Sequence, residues 1–209
     1  MEGRKAGGSF MEKRVDEVHG QLAAFYPEYT AQGNMTRLLY QEPETGETSS
    51  SIDSRQVESV KRALARCYAV DLSAQAGILR KKYHRRILLH FYLPDGRVFV
   101  PFKLRESRIS GDASYGYIDI DHVARLVPGD EPYIIMRCGA RLPLHSNIMT
   151  ARLAYFMGLE ILSDFVSAPD NSELDLVNAL AILRGVFAGQ LQPNREPSRR
   201  FRVKFLPTK

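Results

Sequence analysis

Short apolar segments separated by turn sequences constrain the fold of this chain more than any other feature. The turn Pro94-Asp95-Gly96 between apolar runs at 87–92 and 98–100 predicts a hairpin. The turns Pro128-Gly129-Asp130 and Gly139-Ala140 follow. Further strand-like segments lie at 117–123, 133–138 and 141–144. Their apolar and polar residues alternate with a period of two, which predicts a strand-rich antiparallel body.

The amino-terminal third predicts two more strands and a helix. The first strand is expected at 21–25, closed by Pro27, and the second at 35–40. Residues 41–54 are rich in Glu, Thr and Ser and predict a loop. Apolar residues then recur at helical spacing over 54–68, with Ser54 as a candidate cap.

The apolar spacing becomes helical after residue 146. Ser146 or Asn147 is a candidate cap for a helix with apolar residues from Met149 to Leu162, and a second helix is predicted over 174–187. The predicted class is therefore α+β, with a strand-rich antiparallel body followed by two C-terminal helices.

Composition narrows the environment that we expect for the protein. The chain has 209 residues, of which 44% are hydrophobic and 25% charged, as in ordinary globular proteins. No apolar run reaches the roughly 20 residues that a bilayer crossing needs, and no apolar signal region follows Met1. Cys67 and Cys138 form no CxxC pair. We expect a cytoplasmic protein without membrane association.

Basic residues are concentrated between residues 78 and 108. This segment contains nine of them and only two acidic residues, Asp95 and Glu106. The net charge of the chain is +5. A basic sheet rim favours an anionic partner, and duplex DNA is the first candidate. The candidate contacts, chosen by charge, are Arg80, Lys81, Lys82, Arg85 and Arg86 for phosphate, with Arg105 and Arg108 for a groove.

No helix-turn-helix, zinc-finger or basic-zipper pattern is present. DNA contacts are therefore expected from sheet, loops or tail, where arginines suit a narrow minor groove. The composition assigns residues 1–14 to a flexible basic arm and 190–209 to a basic tail, and residues 15–189 are expected to form a single α+β domain of DNA-binding type. The amphipathic late helices are the expected contact in a homo-oligomer, although an internal core is the commoner use of such faces.

The sequence lacks the patterns of familiar enzymes. Neither GxSxG, HExxH nor G-x-G-x-x-G occurs. Asp119 and Asp121 would share one face of a strand, but two carboxylates without further ligands are more typical of a solvated face. The other acid or base candidates are His84, His90, His122 and His145. We expect no catalytic residue, metal site or cofactor.

Two alternatives to DNA binding stay open. The basic segment that begins at Arg80 resembles the arginine-bearing start of PilZ domains, and Asp112-Ala113-Ser114-Tyr115-Gly116 resembles their DxSxxG element with the glycine one place early. That resemblance implies a sensor of cyclic dinucleotides. The other alternative is a non-enzymatic interaction module whose basic face binds an acidic protein.

Several spaced features, taken in order, resemble the competence transcription factor ComK family. The segment from Val18 to Tyr29 is similar to the family's first strand and its proline. Val98-Phe99-Val100-Pro101 stands where the family has a strand that ends in Phe-Pro, and the segment from Tyr117 to Val123 resembles its aromatic-Ile…His-Val strand. Cys138-Gly139 and the following Leu142-Pro143-Leu144…Ser146 resemble the last turn and strand before a helix.

The resemblance implies a sequence-specific transcription activator. Such a protein would grip DNA largely through the minor groove, act as an oligomer and be controlled by an adaptor protein that directs proteolysis. The chain departs from the family after Pro101, where Phe102-Lys103-Leu104 replaces the usual Thr and Ser.

Overall fold

The structure is a computed structural model that describes residues 12–84 and 90–165. It belongs to the α+β class, and an antiparallel body precedes the long helix that ends the described residues. The helices are α1 (Val15–Val18), α2 (Val57–Cys67), α3 (Leu72–Tyr83) and α4 (Ile148–Phe165). The strands are β1 (Leu22–Thr30), β2 (Gly33–Gln41), β3 (Thr48–Asp53), β4 (Phe91–Tyr92), β5 (Val98–Lys103), β6 (Tyr115–Asp119), β7 (Val123–Val127), β8 (Tyr133–Met136) and β9 (Arg141–Pro143). The second predicted helix and the predicted tail lie outside the described residues.

Two antiparallel sheets form the body. Six strands pair in the order β3-β2-β1-β6-β5-β4, and three more in the order β7-β8-β9. The hairpin predicted around Gly96 is confirmed, because Phe91 of β4 pairs with Phe99 of β5 and Gly96 has a φ of +97°. The predicted turn at Gly139 is confirmed in the same way, with a φ of +84° between β8 and β9.

A buried apolar cluster lies on each face of the six-stranded sheet. Successive side chains of a strand point to opposite faces and so contribute to different clusters. On one face Phe99 joins Phe25, Phe91 and Tyr117 in a cluster that α2 covers. On the other face Val100 belongs to a second cluster, to which α4 and the three-stranded sheet contribute. The sheet therefore forms the middle layer of the described structure.

Local sequence explains how two of the helices begin. Asn147 caps α4, because its Oδ1 accepts a hydrogen bond from the backbone N–H of Met149 at 2.8 Å. This confirms one of the two predicted caps. The prediction of Ser54 as the cap of α2 is wrong, since the helix begins after Gln56, which makes no side-chain cap bond.

The helix α3 occupies part of the segment predicted as a basic sheet rim, so that prediction is wrong for residues 78–83. Asp71 caps α3 by accepting from the backbone N–H of Ser73 at 2.8 Å. Leu79 is fully buried. The side chain of Gln75 exchanges two hydrogen bonds with the backbone of Tyr92, at 2.9 and 3.0 Å. These contacts fix α3 against β4.

Three other boundaries differ from the predictions. Residues 48–53, expected in a loop, form β3, because they pair with backbone groups that β2 would otherwise leave unpaired at its edge. The strand β1 was expected to end at Pro27 but continues through it. Proline has no backbone N–H to donate, and this is tolerated on the side of β6 because β1 pairs with β6 only at Ala24 and Phe25. The strand predicted at 117–123 is broken by a 3₁₀ turn, Ile120–His122, which transfers the chain from one sheet to the other.

The described end of the predicted arm is attached to the larger sheet. Glu12 forms an isolated bridge with Ile52 of β3, and the N–H of Lys13 donates to the Ile52 carbonyl at 3.2 Å. Residues 12–14 therefore belong to the folded domain rather than to an arm.

Candidate nucleic-acid interface

Five of the seven residues predicted to contact DNA lie in the described ranges, and they fall into two groups. Arg80, Lys81 and Lys82 lie in the last turn of α3. Arg105 and Arg108 lie in the β5–β6 loop, which comprises residues 104–114. Arg85 and Arg86 are outside the described residues.

The structure keeps these two groups apart, at opposite ends of α4. Near the start of α4, the N–H of His145 donates to the carbonyl of Lys103, immediately before the β5–β6 loop, at 2.8 Å. Near its last described turn, Asp164 accepts from Tyr83 of α3 at 2.7 Å and binds Lys82 at 2.9 Å. The 18 residues of α4 correspond to about 27 Å at 1.5 Å per residue. The basic residues therefore form two surfaces.

The α3 end has structural uses for its charge. The Lys82 ammonium binds Asp164 and lies 4.6 Å from the ring centroid of Phe165, so it fastens α3 to α4. The hydrogen bonds from Tyr83 and Lys82 lower the pKa of Asp164. Cations in the last turn of a helix also stabilise it, because they interact favourably with the negative end of the helix dipole. Arg80 and Lys81 are exposed, and so is Lys82, whose ammonium pairs with Asp164.

Arg105 is a buried residue that positions the β5–β6 loop, which makes it unsuitable as a groove contact. It is only 8% exposed. Its Nε donates to the carbonyl of Ala113 at 3.0 Å, and its Nη1 donates to Oδ1 of Asn34 at 2.9 Å. The guanidinium carbon lies 4.0 Å from the ring centroid of Tyr29. Burial lowers the pKa of the Arg105 guanidinium.

A second set of contacts joins the same loop to the end of the β1–β2 hairpin. The Tyr29 hydroxyl donates to Oδ2 of Asp112 at 2.5 Å and accepts from the backbone N–H of Arg108 at 2.8 Å. Asn34 donates to the other oxygen of Asp112 at 3.2 Å. Across the base of the loop, the hydroxyls of Ser107 and Ser114 are 2.6 Å apart. The loop is therefore braced from both ends.

Arg108 is the basic residue that this brace presents to solvent. Its side chain is exposed, and its guanidinium carbon lies 4.6 Å from the ring centroid of Tyr29. A cation over an aromatic ring at this distance is held loosely in place while its hydrogen-bond donors stay available. Arg108 can therefore donate to a phosphate or a base edge without breaking a contact that holds the fold.

The three-stranded sheet adds a basic face that sequence reasoning missed. Register places Arg125 of β7, Ile135 of β8 and Arg141 of β9 in one row across the sheet. Arg125 and Arg141 are exposed, and Arg141 lies 5.5 Å from the ring centroid of Tyr133. The alternation in β7 was a usable signal, because Leu126 is buried and its neighbour Arg125 must then face solvent.

Two of the acid and base candidates, Asp119 and His90, make local structural contacts. Oδ1 of Asp119 accepts from the N–H of Asp121 at 3.3 Å and caps the 3₁₀ turn, while the side chain of Asp121 is exposed. Burial, and then the charge of Asp121, raise the pKa of Asp119 to about 7. Burial lowers the pKa of His122. The ring of His90 contacts the carbonyl of Ala154 at 2.8 Å. Among the residues that the structure describes, no group of three or more His, Cys, Asp or Glu could hold a metal ion.

The described residues that resemble a PilZ site, Arg80 and the segment 112–116, lie far apart. Asp112 accepts hydrogen bonds from Tyr29 and Asn34, and Arg80 lies at the opposite end of α4. Packing explains why a glycine stands at position 116, because a Cβ there would lie 2.4 Å from Cβ of Tyr26.

Within the described ranges, none of the helices combines the length and apolarity that a membrane crossing requires. The chain matches no known family model, no curated protein and no solved structure.

Proposed function

We propose that this protein is a ComK-like, sequence-specific transcription activator that binds duplex DNA and uses the β5–β6 loop as its groove-reaching element. The observation that carries the proposal is the brace formed by Arg105, Tyr29 and Asp112, which holds exposed Arg108 on an ordered loop. A loop that is ordered before binding loses little conformational entropy when it meets the duplex.

The dimensions of DNA favour the minor groove for this loop. The minor groove is about 6 Å wide, too narrow for a helix or a two-stranded ribbon, whereas the major groove admits either. A single arginine on a projecting loop suits the narrow groove of A/T-rich sequence, where the negative potential is strongest. Arg108 is such a residue, exposed on the β5–β6 loop.

The other exposed basic residues would supply phosphate contacts, which set position and affinity rather than sequence. Arg125 and Arg141 lie on the sheet whose last strand leads to His145, beside the base of the β5–β6 loop. Arg80 and Lys81 lie at the far end of α4. Two separated surfaces suit either a duplex that passes along α4 or two copies on one site, and the resemblance favours a homo-oligomer.

The segments that resemble the ComK family surround this loop in the fold. Val98-Phe99-Val100-Pro101 lies in β5, which enters the loop, and the segment from Tyr117 to Val123 begins in β6, which leaves it. Ser146 precedes α4, next to the residue that contacts Lys103. Oligomerisation, activation and control by an adaptor protein that directs proteolysis are part of the proposal through this resemblance.

A mobility-shift assay with duplex fragments from the source genome tests the proposal. We expect binding at low salt that survives excess heparin on a subset of fragments, because groove contacts add sequence preference to the electrostatic attraction. Recovery of discrete genomic sites after cross-linking would agree with this. Absence of any shift at low salt would refute DNA binding and favour an acidic protein as the partner of the basic surfaces.

A further inference from the structure

Ile109 occupies an unusual place for a large apolar residue. It is 68% exposed and lies at the far end of the β5–β6 loop, directly after Arg108. The other large hydrophobic residues with high exposure in the described ranges lie on a helix or strand: Ile78, Tyr115, Met149 and Leu153. Single exposed apolar residues are common on protein surfaces, so the setting of Ile109 must distinguish it.

The backbone around Ile109 is fixed. Its carbonyl accepts from the N–H of Asp112 at 3.2 Å, which closes a four-residue turn. Gly111 adopts a φ of +95° at the third position, as a type II turn requires. The N–H of Arg108 donates to Tyr29, and Asp112 is held by the same tyrosine. A branched Cβ also restricts the Ile109 side chain to few rotamers.

We propose that Ile109 is an apolar wedge that enters the minor groove beside Arg108 and partly unstacks one base step. The inference rests on the proposed function and adds a specificity-determining residue to it. Apolar side chains that insert between base pairs are a known means by which minor-groove proteins kink DNA. The arginine would attract the loop to the groove, and the rigid isoleucine would separate the bases.

The wedge would make the protein prefer particular base-pair steps, a preference that hydrogen bonds in the minor groove cannot supply. Burial of an isoleucine side chain yields a gain of the same order as the cost of unstacking one step. Sequences that deform easily then bind better, and pyrimidine–purine steps such as TA unstack most readily. We expect a TA step to be preferred over a stiff AA step by about tenfold in affinity, within the range of discrimination seen per base pair.

Fluorescence of a base analogue tests the wedge directly. The probes are short A/T-rich duplexes in which a fluorescent aminopurine replaces adenine at one step at a time, including a central TA step. Aminopurine is quenched by stacking, so we expect a clear rise at the TA step when saturating wild-type protein is added. Ile109→Ser should bind the same duplex without the rise and should lose the preference for TA over AA, whereas Ile109→Leu should retain both.

Ile78→Ser is the matched control, because it removes the same side chain from an exposed position on α3, at the other end of α4. It should leave the fluorescence rise and the step preference unchanged. Bound duplexes with quenched aminopurine at every step, or a full rise with Ile109→Ser, would overturn the wedge while leaving DNA binding intact. Absence of a mobility shift with any of these duplexes would overturn the wedge together with the proposed function.

Discussion

Asp53 and Asp95 each bind an arginine two residues further along the chain, but their burial differs. Asp53 is fully buried and accepts both from the N–H of Val15 at 2.9 Å and from the guanidinium of Arg55 at 2.7 Å. Asp95 is exposed and binds Arg97 at 2.7 Å. The first pair joins α1 to the end of β3, and the second lies in a hairpin turn.

We expect Asp53→Ala to lower the free energy of unfolding by about 3 kcal/mol, because it leaves a buried N–H and a partly buried guanidinium without their acceptor. Asp95→Ala is the matched control and should cost less than about 1 kcal/mol, since Asp95 itself is exposed and Arg97 keeps the carbonyls of Leu22 and His19 as acceptors. Urea denaturation measures both values. Equal losses in the two variants would contradict the structural role of Asp53.

Asp53 and Asp119 should respond to pH in opposite ways. Burial alone would raise the pKa of Asp53, but hydrogen bonds from Arg55 and Val15 outweigh it and lower the pKa. The stability that Asp53 provides is therefore present above the usual pKa of 3.8 and is lost as the pH falls through its lower folded value. The pKa of Asp119 is raised from 3.8 to about 7. Its folded form keeps a proton that the unfolded chain releases, so stability declines as the pH rises across that window.

Asp119→Asn tests this sign, because the amide keeps an acceptor for the Asp121 N–H but carries no charge. The variant should become more stable relative to wild type as the pH rises from 3.8 to about 7. The gain is at most on the order of a few kcal/mol, at 1.36 kcal/mol per pKa unit. Denaturation at the two ends of this window measures it. A stability difference that does not change with pH would show that the pKa of Asp119 is not raised in the folded protein.

At the scale of elements, the β5–β6 loop depends on Arg105. We expect Arg105→Met to cost about 2 kcal/mol of stability, because hydrogen bonds from a buried charged donor are lost. Amide hydrogen exchange over residues 106–112 should become faster, since Ala113 and Asn34 lose their shared partner. Arg108→Ala is the control, and slow exchange in both variants would mean that Arg105 does not brace the loop.

Gly116 fixes the seam between β1 and β6. A Cβ at this position would lie 2.4 Å from Cβ and 2.9 Å from Cα of Tyr26, and the backbone cannot move aside cheaply. We expect Gly116→Ala to destabilise the protein by about 2 kcal/mol, as overpacking in a core does. Gly77→Ala, in open space on α3, should instead stabilise it by about 0.5–1 kcal/mol. Thermal denaturation distinguishes the two, and a neutral Gly116→Ala would contradict the close approach.

Elements with a local cause could be predicted, and those with a distant cause could not. Gly96 and Gly139 mark turns because each adopts a positive φ in its own short sequence. The helix α3 was missed because it buries only Gln75 and Leu79, too few for an apolar period. The strand β3 was missed because its serines pair through their backbone and show no apolar pattern.

The candidate site follows the same rule. Charge alone identified Arg105 and Arg108 as neighbours, and it could not tell them apart. Buried Arg105 donates a hydrogen bond to Asn34, which lies 71 residues earlier in the chain. Tyr29 and Asp112, which brace the loop, are 83 residues apart. Contacts at such separations depend on the order of strands in the sheet, which no local pattern specifies.

At the scale of the whole molecule, the long β1 and α4 separate the basic surfaces. Tyr29, near the end of β1, contacts the β5–β6 loop. Tyr68, which follows α2, contacts the carbonyl of His19 ahead of the start of β1, at 3.5 Å. The nine residues of β1 span about 30 Å at 3.3 Å per residue. Arg66, exposed on the last turn of α2, is therefore a charged residue remote from the loop.

The salt dependence of duplex binding in Arg108→Ala and Arg66→Ala tests the central claim most directly. Each variant removes one positive charge, so a loss due to net charge alone would be equal in both. We predict that Arg108→Ala weakens binding and reduces the slope of log affinity against log salt by up to about 0.9, because the groove-bound guanidinium no longer displaces a counterion. Arg66→Ala should keep the wild-type slope. Equal slopes and affinities for the two variants would contradict the proposal that the β5–β6 loop meets DNA.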